Sequence, residues 1–577
     1  MQVATHANEP DRSTDWDSVD WRQAHRVIRN LRCRIFRASQ EGNHRKVRSL
    51  QRLMLRCYAN RLLAVRRVTQ INAGKATPGV DQVIVKTPAA RGQLVDELST
   101  YAPWKPLPTR RVYIPKANGK RRPLGIPTIT DRCIQAMVKQ ALEPAWEAHF
   151  EGSSYGFRPG RSCHDALQRI FTIAKAGRQK PWVIDADIQG AFDHIDHEHL
   201  LRTIGPVPGR ELLKQWLKAG YLEDGVRHDT PAGTPQGGVI SPLLANIALH
   251  GMEQALDANL PHGENDVTTR AVVRYADDFV VFCPTKEDAE QAQLLLAEWL
   301  AERGLRLSAE KTRLVHLDDG FDFLGCTVRR YQTPSTKTGR KLLITPSKTS
   351  VQRLRDRLRE EWQALHGHNV DDVIRRLNPI IRGWATYHRP HVASKVFHAL
   401  DAWMFKREQQ WVARQHPQRS WGWRKSRYWG RLNHRRQDHW VFGNPTTPGR
   451  YLQKFGWFTI RRHVLVRGTS SPDDPTLRTY WEQRRQRAVW PHATREPKVV
   501  HDQQRTCPVC GDTLLNDEEL QIHHAIPRSR GGTDADGIAY VHLYCHQQLT
   551  SRQRDSGLLE PGAMQVARPV LRGEERQ

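Results

Sequence analysis

The stretch Val272-Val273-Arg274-Tyr275-Ala276-Asp277-Asp278-Phe279-Val280-Val281-Phe282 constrains this chain more than any other. β-Branched and aromatic residues flank a polar centre with room only for a tight turn. The spacing predicts a hairpin with the acidic pair at or beside its turn. Adjacent carboxylates in apolar surroundings repel each other and lose hydration. Two outcomes fit: a solvated polar turn, which Asp commonly forms, or a cation that neutralises the pair. With no Cys or His beside it, an oxygen-only set suits Mg²⁺ better than zinc.

Trp182-Val183-Ile184-Asp185-Ala186-Asp187-Ile188 reads as a buried strand. Strand side chains alternate, so Asp185 and Asp187 share a face. That face is either open to water or turned to a metal shared with Asp277 and Asp278. Upstream, Arg110 to Pro127 reads as two strands joined at Asn118-Gly119. Their basic residues could hold a triphosphate or line a solvated edge. Thr130 to Phe150 is expected as an amphipathic helix. Ala232 to Pro242 is a Gly-rich turn ahead of an apolar helix over Leu243 to Leu256. A helix from Glu287 ends at Gly304, and short strands are expected over Leu305 to Leu317 and Phe321 to Val328.

A chain of 577 residues predicts about two to four domains. Its net charge of +28 points to a polyanion, with nucleic acid ahead of an anionic membrane surface. No apolar run approaches a membrane span and no lipidation motif is present, so the expectation is a cytoplasmic chain without a membrane partner. Residues 1–18 read as a disordered leader. Trp21 to about Gln70 is basic and helical, with Val47, Leu50, Met54 and Leu55 on one face.

The ordered series Asp187-Ile188-x-Gly190-x-Phe192-Asp193, Gly233-Thr234-Pro235-Gln236-Gly237-Gly238, Tyr275-Ala276-Asp277-Asp278, Gly304 through Lys311, and Phe323-Leu324-Gly325 resembles reverse transcriptases. More closely, it is similar to proteins encoded by bacterial group II introns, and the likeness runs from about residue 20 to 550. It implies a multidomain α/β and α chain: a right-hand polymerase with fingers, a palm built on an antiparallel sheet and a helical thumb, plus a small ββα-metal HNH domain. Fingers and palm would occupy 19–340, thumb and maturase region 341–460, a DNA-binding or linker region 461–505, and the HNH-like zinc domain 506–577.

By the same resemblance, Asp187, Asp277 and Asp278 bind two Mg²⁺ ions and are catalytic. Lys116 and Arg122 clamp the triphosphate of a dNTP. Gln236 and Gly237 line the template–nucleotide pair, Phe192 excludes a ribose 2′-hydroxyl, and Lys311 lies near the triphosphate. Val351, Leu354, Leu358, Trp362 and Leu365 form a helical apolar stripe suited to core packing. Asn378 to His388 resembles the maturase signature. Of the 18 Trp, nine fall between Trp403 and Trp490, among many Arg and Lys. That mixture suits RNA through stacking and phosphate contacts, while some of these rings are expected in the core.

Cys507-Pro508-Val509-Cys510 and His542-Leu543-Tyr544-Cys545 have the spacing of two zinc half-sites, which predicts a structural Zn²⁺ on Cys507, Cys510, His542 and Cys545. His523-His524, Gly531-Gly532 and His546 resemble the HNH endonucleases. The resemblance makes His524 a general base and has His523 and His546 hold a divalent ion. The family pattern has Asn five residues before His542, where this chain has Gly537; Asp534 or Asp536 could compensate. The expected activity is an RNA-directed DNA polymerase and maturase acting on group II intron RNA and target DNA, with a nuclease for the second strand. Two rivals are a maturase-only splicing factor and a reverse transcriptase recruited to phage defence. The complete aspartate set weighs against the first, and the HNH unit and maturase signature against the second.

Overall fold

Helices Trp21–Gln40, His44–Arg56 and Tyr58–Arg66 begin the fold. Asp20 and Asn43 accept the amides of Gln23 and Lys46, capping the first two. Their apolar stripes (Ile28, Leu31 and Ile35; Val47, Leu50 and Met54) pack on helix Ile129–Glu147, leaving the arginine-rich faces outward. In the computed structural model the described residues are 13–99, 104–115, 119, 121–175, 179–258, 270–335, 339–433, 436–446, 449–489, 498–515, 520–526, 537–543, 545–546 and 549. The expected disorder does not extend to residues 13–18. Trp16 is buried in the same core, and the Thr14 amide donates to Asp96 at 2.8 Å.

Strands β1 (Thr109–Pro115) and β2 (Arg121–Ile126) pair as the expected hairpin. β3 (Trp182–Asp187) belongs to a second sheet, while β4 (Tyr221–Glu223) and β5 (Val226–His228) extend the first in the order β2-β1-β4-β5. β6 (Ala271–Tyr275), β7 (Asp278–Cys283) and β8 (Arg313–His316) complete the second, antiparallel sheet, ordered β6-β7-β3-β8. One face of it carries Ile184, Ala186, Val272, Phe279 and Val281, packed with Leu243, Leu244, Leu296 and Leu300. The other carries Val183, Val273, Val280 and Phe282, against Leu167, Ile170 and Phe321. Cover on both faces explains why these strands read as nearly continuous apolar runs.

Three local expectations need correction. The helix expected over Leu243 to Leu256 is two, Ser241–Ala248 and Met252–Ala255, because Gly251 takes φ +93° between them. Strand structure in Leu305 to Leu317 is a single bridge from Leu307 to Ile188 and then β8: between them the chain turns at Ser308, whose carbonyl accepts the amides of Lys311 and Thr312. Phe321 to Val328 divides into β9 (Phe321–Phe323) and β10 (Cys326–Gln332), a hairpin turned by Leu324 and Gly325 at φ +48° and +74°. β11 (Arg340–Pro346) closes that sheet.

Helices Lys348–Ala364, Val370–His388 and Ser394–Gln415 share a core of Leu354, Leu358 and Trp362 with Leu377, Ile381, Leu400 and Met404. The two-residue strands β12 (Trp429–Gly430) and β13 (Val441–Phe442) pair beside it. The segment over 461–489 runs back to the fingers and palm. Asp165 accepts the Val466 amide and the Arg484 guanidinium, both at 2.9 Å, with His463 Nε2 at 2.8 Å. Asp473 takes both sides of the Arg32 guanidinium at 2.7 Å. The C-terminal unit holds β14 (Leu520–His524) against β15 (Ile538–His542). Among the described residues, no helix is long and apolar enough to cross a membrane.

Candidate active site and metal centre

β3 and β7 pair in a register that sets Asp187 opposite Asp278, so their Cα atoms are about 4.5–5.5 Å apart. Alternation puts both side chains on the face that carries Val183 and Val280. Tyr275 and Asp278 close the β6–β7 hairpin, leaving Ala276 and Asp277 as its two-residue turn. Ala276 stands at φ +60°, a left-handed conformation costly for a residue with a Cβ. Asp187, Asp277 and Asp278 therefore all lie at one end of the sheet.

Their electrostatics are those of a site short of positive charge. Asp278 is pushed up to about 7 by its crowded surroundings and by the charges of Asp277 and Asp187. Asp277 is raised, mainly by burial, with Arg122 and Lys311 opposing. Asp185 rises to about 6 through burial, opposed by Arg313, its neighbour across the β3–β8 ladder. Lys311 forms an ion pair with Asp187, and that hydrogen bond raises the ammonium's proton affinity. Carboxylate oxygens that gain from any cation, with no sulfur or imidazole among them, fit a hard divalent ion.

Contacts connect several of the other expected substrate residues to one another and to this end of the sheet. Gly190, at φ +54°, turns the chain from β3 into the short helix Ala191–His194. The Phe192 ring packs edge-on to Phe157 at 6.1 Å. The loop of Gln236 and Gly237 lies on this segment. A Cβ on Gly233 would stand 2.6 Å from the Asp193 carbonyl oxygen, and Gln236 Nε2 donates to Asp193 at 3.4 Å. Gly125 on β2 donates its amide to the Gln236 carbonyl at 2.7 Å, joining the β1–β2 hairpin to the loop. Arg122 on β2 is exposed and bears on Asp277. Lys116 lies outside the described residues.

Arg274, Asn246 and Gly156 were absent from the sequence expectations. Arg274 is buried at 2% exposure directly beneath the Ala276–Asp277 turn. Its signal was visible: one cation inside an apolar run.

In the C-terminal unit, the ligand atoms of Cys507, Cys510, His542 and Cys545 all lie within 4.8 Å of one another. His542 Nδ1 is 3.3 Å from Cys510 Sγ and 3.9 Å from Cys545 Sγ. With Nε2 bonded to the Thr513 carbonyl at 3.1 Å, Nδ1 is left for a metal, the usual second-shell arrangement. Hydrogen bonds from Cys510 and Cys545 hold the Cys507 thiol far below its ordinary proton affinity. The cluster therefore fits a thiophilic ion. His524 stands on β14 opposite Ile538. His523 is buried with its ring 5.5 Å from that of His546; burial first, then the neighbouring imidazoles, lowers the proton affinity of both. The Gly537 carbonyl accepts the Ala525 amide; Asp534 and Asp536 lie outside the described residues.

Two surfaces combine cations with aromatic or concave features. Trp411 and Trp429 are core residues, whereas Trp421 and Trp440 are exposed. Lys425 sits over the Trp440 ring at 4.7 Å and Arg419 over Trp423 at 5.2 Å. A cleft of about 2130 Å³ lies along helix Trp21–Gln40, the segment over 472–486 and residues beside the Cys/His cluster, and includes Arg22, Arg26, Arg29, Arg478, Arg485 and Arg505 in its walls.

Four family models match the chain: "N-terminal domain of reverse transcriptase" over residues 16–98, "Reverse transcriptase (RNA-dependent DNA polymerase)" over 114–328, "Group II intron, maturase-specific domain" over 351–429 and "HNH endonuclease" over 507–552. Protein YkfC of Escherichia coli is 38% identical over 296 residues, 45% of this chain and 77% of that protein. The group II intron-encoded protein LtrA of Lactococcus lactis is 34% identical over 322 residues, 44% of this chain and 53% of LtrA. The match thus spans only about half of LtrA. Apo telomerase from Candida tropicalis aligns over 40% of this chain and 54% of its own, at 15% identity and a TM-score of 0.31.

Proposed function

The chain belongs to the group II intron-encoded reverse transcriptases that carry a maturase domain and a C-terminal HNH endonuclease domain, and from that premise we propose that it copies its own intron RNA into DNA at a nicked target. The observation that carries this reading is the register that brings Asp187 to Asp278 beside Asp277. When bound to Asp187, Asp277 and Asp278, Mg²⁺ supplies the charge that eases deprotonation of a primer 3′-hydroxyl and departure of pyrophosphate. The protein's own contribution is positioning and charge neutralisation. Arg122 and Lys116 bind the triphosphate, Lys311 turns to it from Asp187, and Gln236 with Gly237 supports the template–nucleotide pair. Phe192 occupies the space a ribose 2′-hydroxyl would need.

The exposed Trp421 and Trp440 with Lys425 form part of the intron RNA surface. The arginine-lined cleft along helix Trp21–Gln40 takes target DNA toward the HNH domain. There His524 accepts a proton from the attacking water, beside an ion on His523 and His546, while Zn²⁺ on Cys507, Cys510, His542 and Cys545 is structural.

The deciding experiment is template-primed incorporation of dNTPs. The intact protein should extend a primer on RNA in Mg²⁺, and Asp277→Ala should abolish extension while RNA binding persists. RNA binding and splicing assistance without extension by the intact protein would leave a maturase alone.

A further inference from the structure

We propose that Arg274 is a positioning residue of the polymerase site, its buried guanidinium fixing the strained Ala276–Asp277 turn and with it the carboxylates on either side. The inference rests on the polymerase reading above and deepens it.

Arg274 lies on β6, three residues before Asp277, and is among the largest fully buried side chains of the protein. Burying a guanidinium is costly, so a structure that retains one there must use its donors. Nη1 donates to Asn246 Oδ1 at 3.1 Å and reaches the Ala276 carbonyl at 3.4 Å. That carbonyl belongs to the one residue of the turn held at positive φ. Asn246 is itself 1% exposed and passes the contact on, donating Nδ2 to the Gly156 carbonyl at 2.9 Å.

Gly156 closes the loop from the other side. A Cβ there would stand 2.3 Å from the Ala276 amide nitrogen and 2.8 Å from the Tyr275 carbonyl carbon. The Arg274 main chain also joins this neighbour, donating to the Ser153 carbonyl at 3.0 Å and accepting the Tyr155 amide at 2.9 Å. Strand β6, helix Ser241–Ala248 and the loop over 153–157 are therefore tied together through one cation directly under the turn. Nη2 is buried with no hydrogen-bond partner among the described residues. Burial lowers the guanidinium's proton affinity to about 10; Glu151 and Glu253 oppose this through space, while Arg158 adds to it.

A residue that only filled space here would be replaceable by an uncharged chain of similar length. A positioning residue would not, because the turn would relax from φ +60° and carry Asp277 and Asp278 away from Asp187. A displacement of about 1 Å at reacting groups costs on the order of 100-fold in rate. Loss of a group that orients metal ligands costs about 10- to 100-fold in metal affinity.

The test compares the full-length protein with Arg274→Gln, Arg274→Lys, Asn246→Ala and Gly156→Ala. Primer extension gives kcat and the dNTP KM across a Mg²⁺ titration. Electron paramagnetic resonance gives Mn²⁺ binding without nucleic acid, and circular dichroism reports folding. Folded Arg274→Gln, Asn246→Ala and Gly156→Ala should lose about 100-fold in kcat with the dNTP KM and RNA affinity little changed. Their Mn²⁺ affinity should fall about 10-fold or more. Arg274→Lys, which keeps the charge but not the fork, should be intermediate.

Folded variants with unaltered kcat and Mn²⁺ binding would overturn the proposal. So would misfolding of every variant, which would make the role structural. Should Arg274→Gln alone misfold, the Asn246 and Gly156 variants decide. An inactive wild-type protein would sink the polymerase reading instead, a result distinct from active variants beside an active parent.

Discussion

Replacing Glu408 with Gln should stabilise the thumb helices above neutral pH. Glu408 stands on helix Ser394–Gln415 at 8% exposure, and its carboxylate accepts Trp429 Nε1–H at 3.0 Å. Burial raises its pKa from 4.5 to about 7; Asp401 adds to the shift, and the Trp429 bond and Lys454 oppose it. The folded form therefore keeps a proton that the unfolded chain has released between pH 4.5 and 7. The stabilisation is full below the unfolded value and is lost as pH rises through the folded one. At 1.36 kcal/mol per pKa unit, the change approaches about 3 kcal/mol by pH 8. Gln retains an acceptor for Trp429 and carries no charge to desolvate. Glu408→Gln should match the wild type near pH 4.5 and exceed it by up to about 3 kcal/mol at pH 8. Denaturant unfolding followed by tryptophan fluorescence, at several pH values, measures both curves. Parallel curves would refute the reasoning, since they would mean that Glu408 ionises in the folded protein as freely as in the unfolded one.

Removing Asp165, which gathers His463, Val466 and Arg484, leaves buried donors unpaired. Asp165→Ala should cost about 3–5 kcal/mol locally and make the segment over 461–489 the first site of limited proteolysis; an unchanged cleavage pattern would show that the clamp is not needed. A thiophilic-metal chelator, used in excess Mg²⁺, should extract metal from the Cys507–Cys545 cluster and loosen the C-terminal unit while primer extension continues. Hydrogen exchange reads this, and unaltered protection around His542 after metal release would count against the ligand set. The logarithm of RNA affinity should fall linearly with the logarithm of salt concentration, at about 0.7 in slope per phosphate neutralised on single strands, and a flat filter-binding response would exclude the basic surfaces as the RNA contact.

Local patterns were legible where the physics is local. The β6–β7 hairpin follows from two apolar runs and a two-residue gap, and the alternation in β3 puts Asp185 and Asp187 on one face whatever the rest of the chain does. Cysteine spacing marked the Cys507–Cys545 cluster for a similar reason, since each half-site folds over a few residues. The helix break at Gly251 was less legible, because a glycine inside an apolar run reads equally as a tolerated interruption. At Arg274 the sequence shows a cation inside an apolar run but not its use, which lies in the carbonyl of Ala276 and in Asn246 and which only the fold brings to it.

The order of motifs along the chain was enough to indicate the family and the kind of chemistry. Tertiary structure alone decided that β3 lies between β7 and β8, and hence which aspartate faces which. It also decided that the segment over 461–489 is tied down by Asp165 and Asp473 and does not run as a free linker. Strand pairing and single ion pairs across hundreds of residues leave no periodic trace in a sequence: they depend on loop closure, whose cost barely changes with length, and on burial that only the assembled core provides.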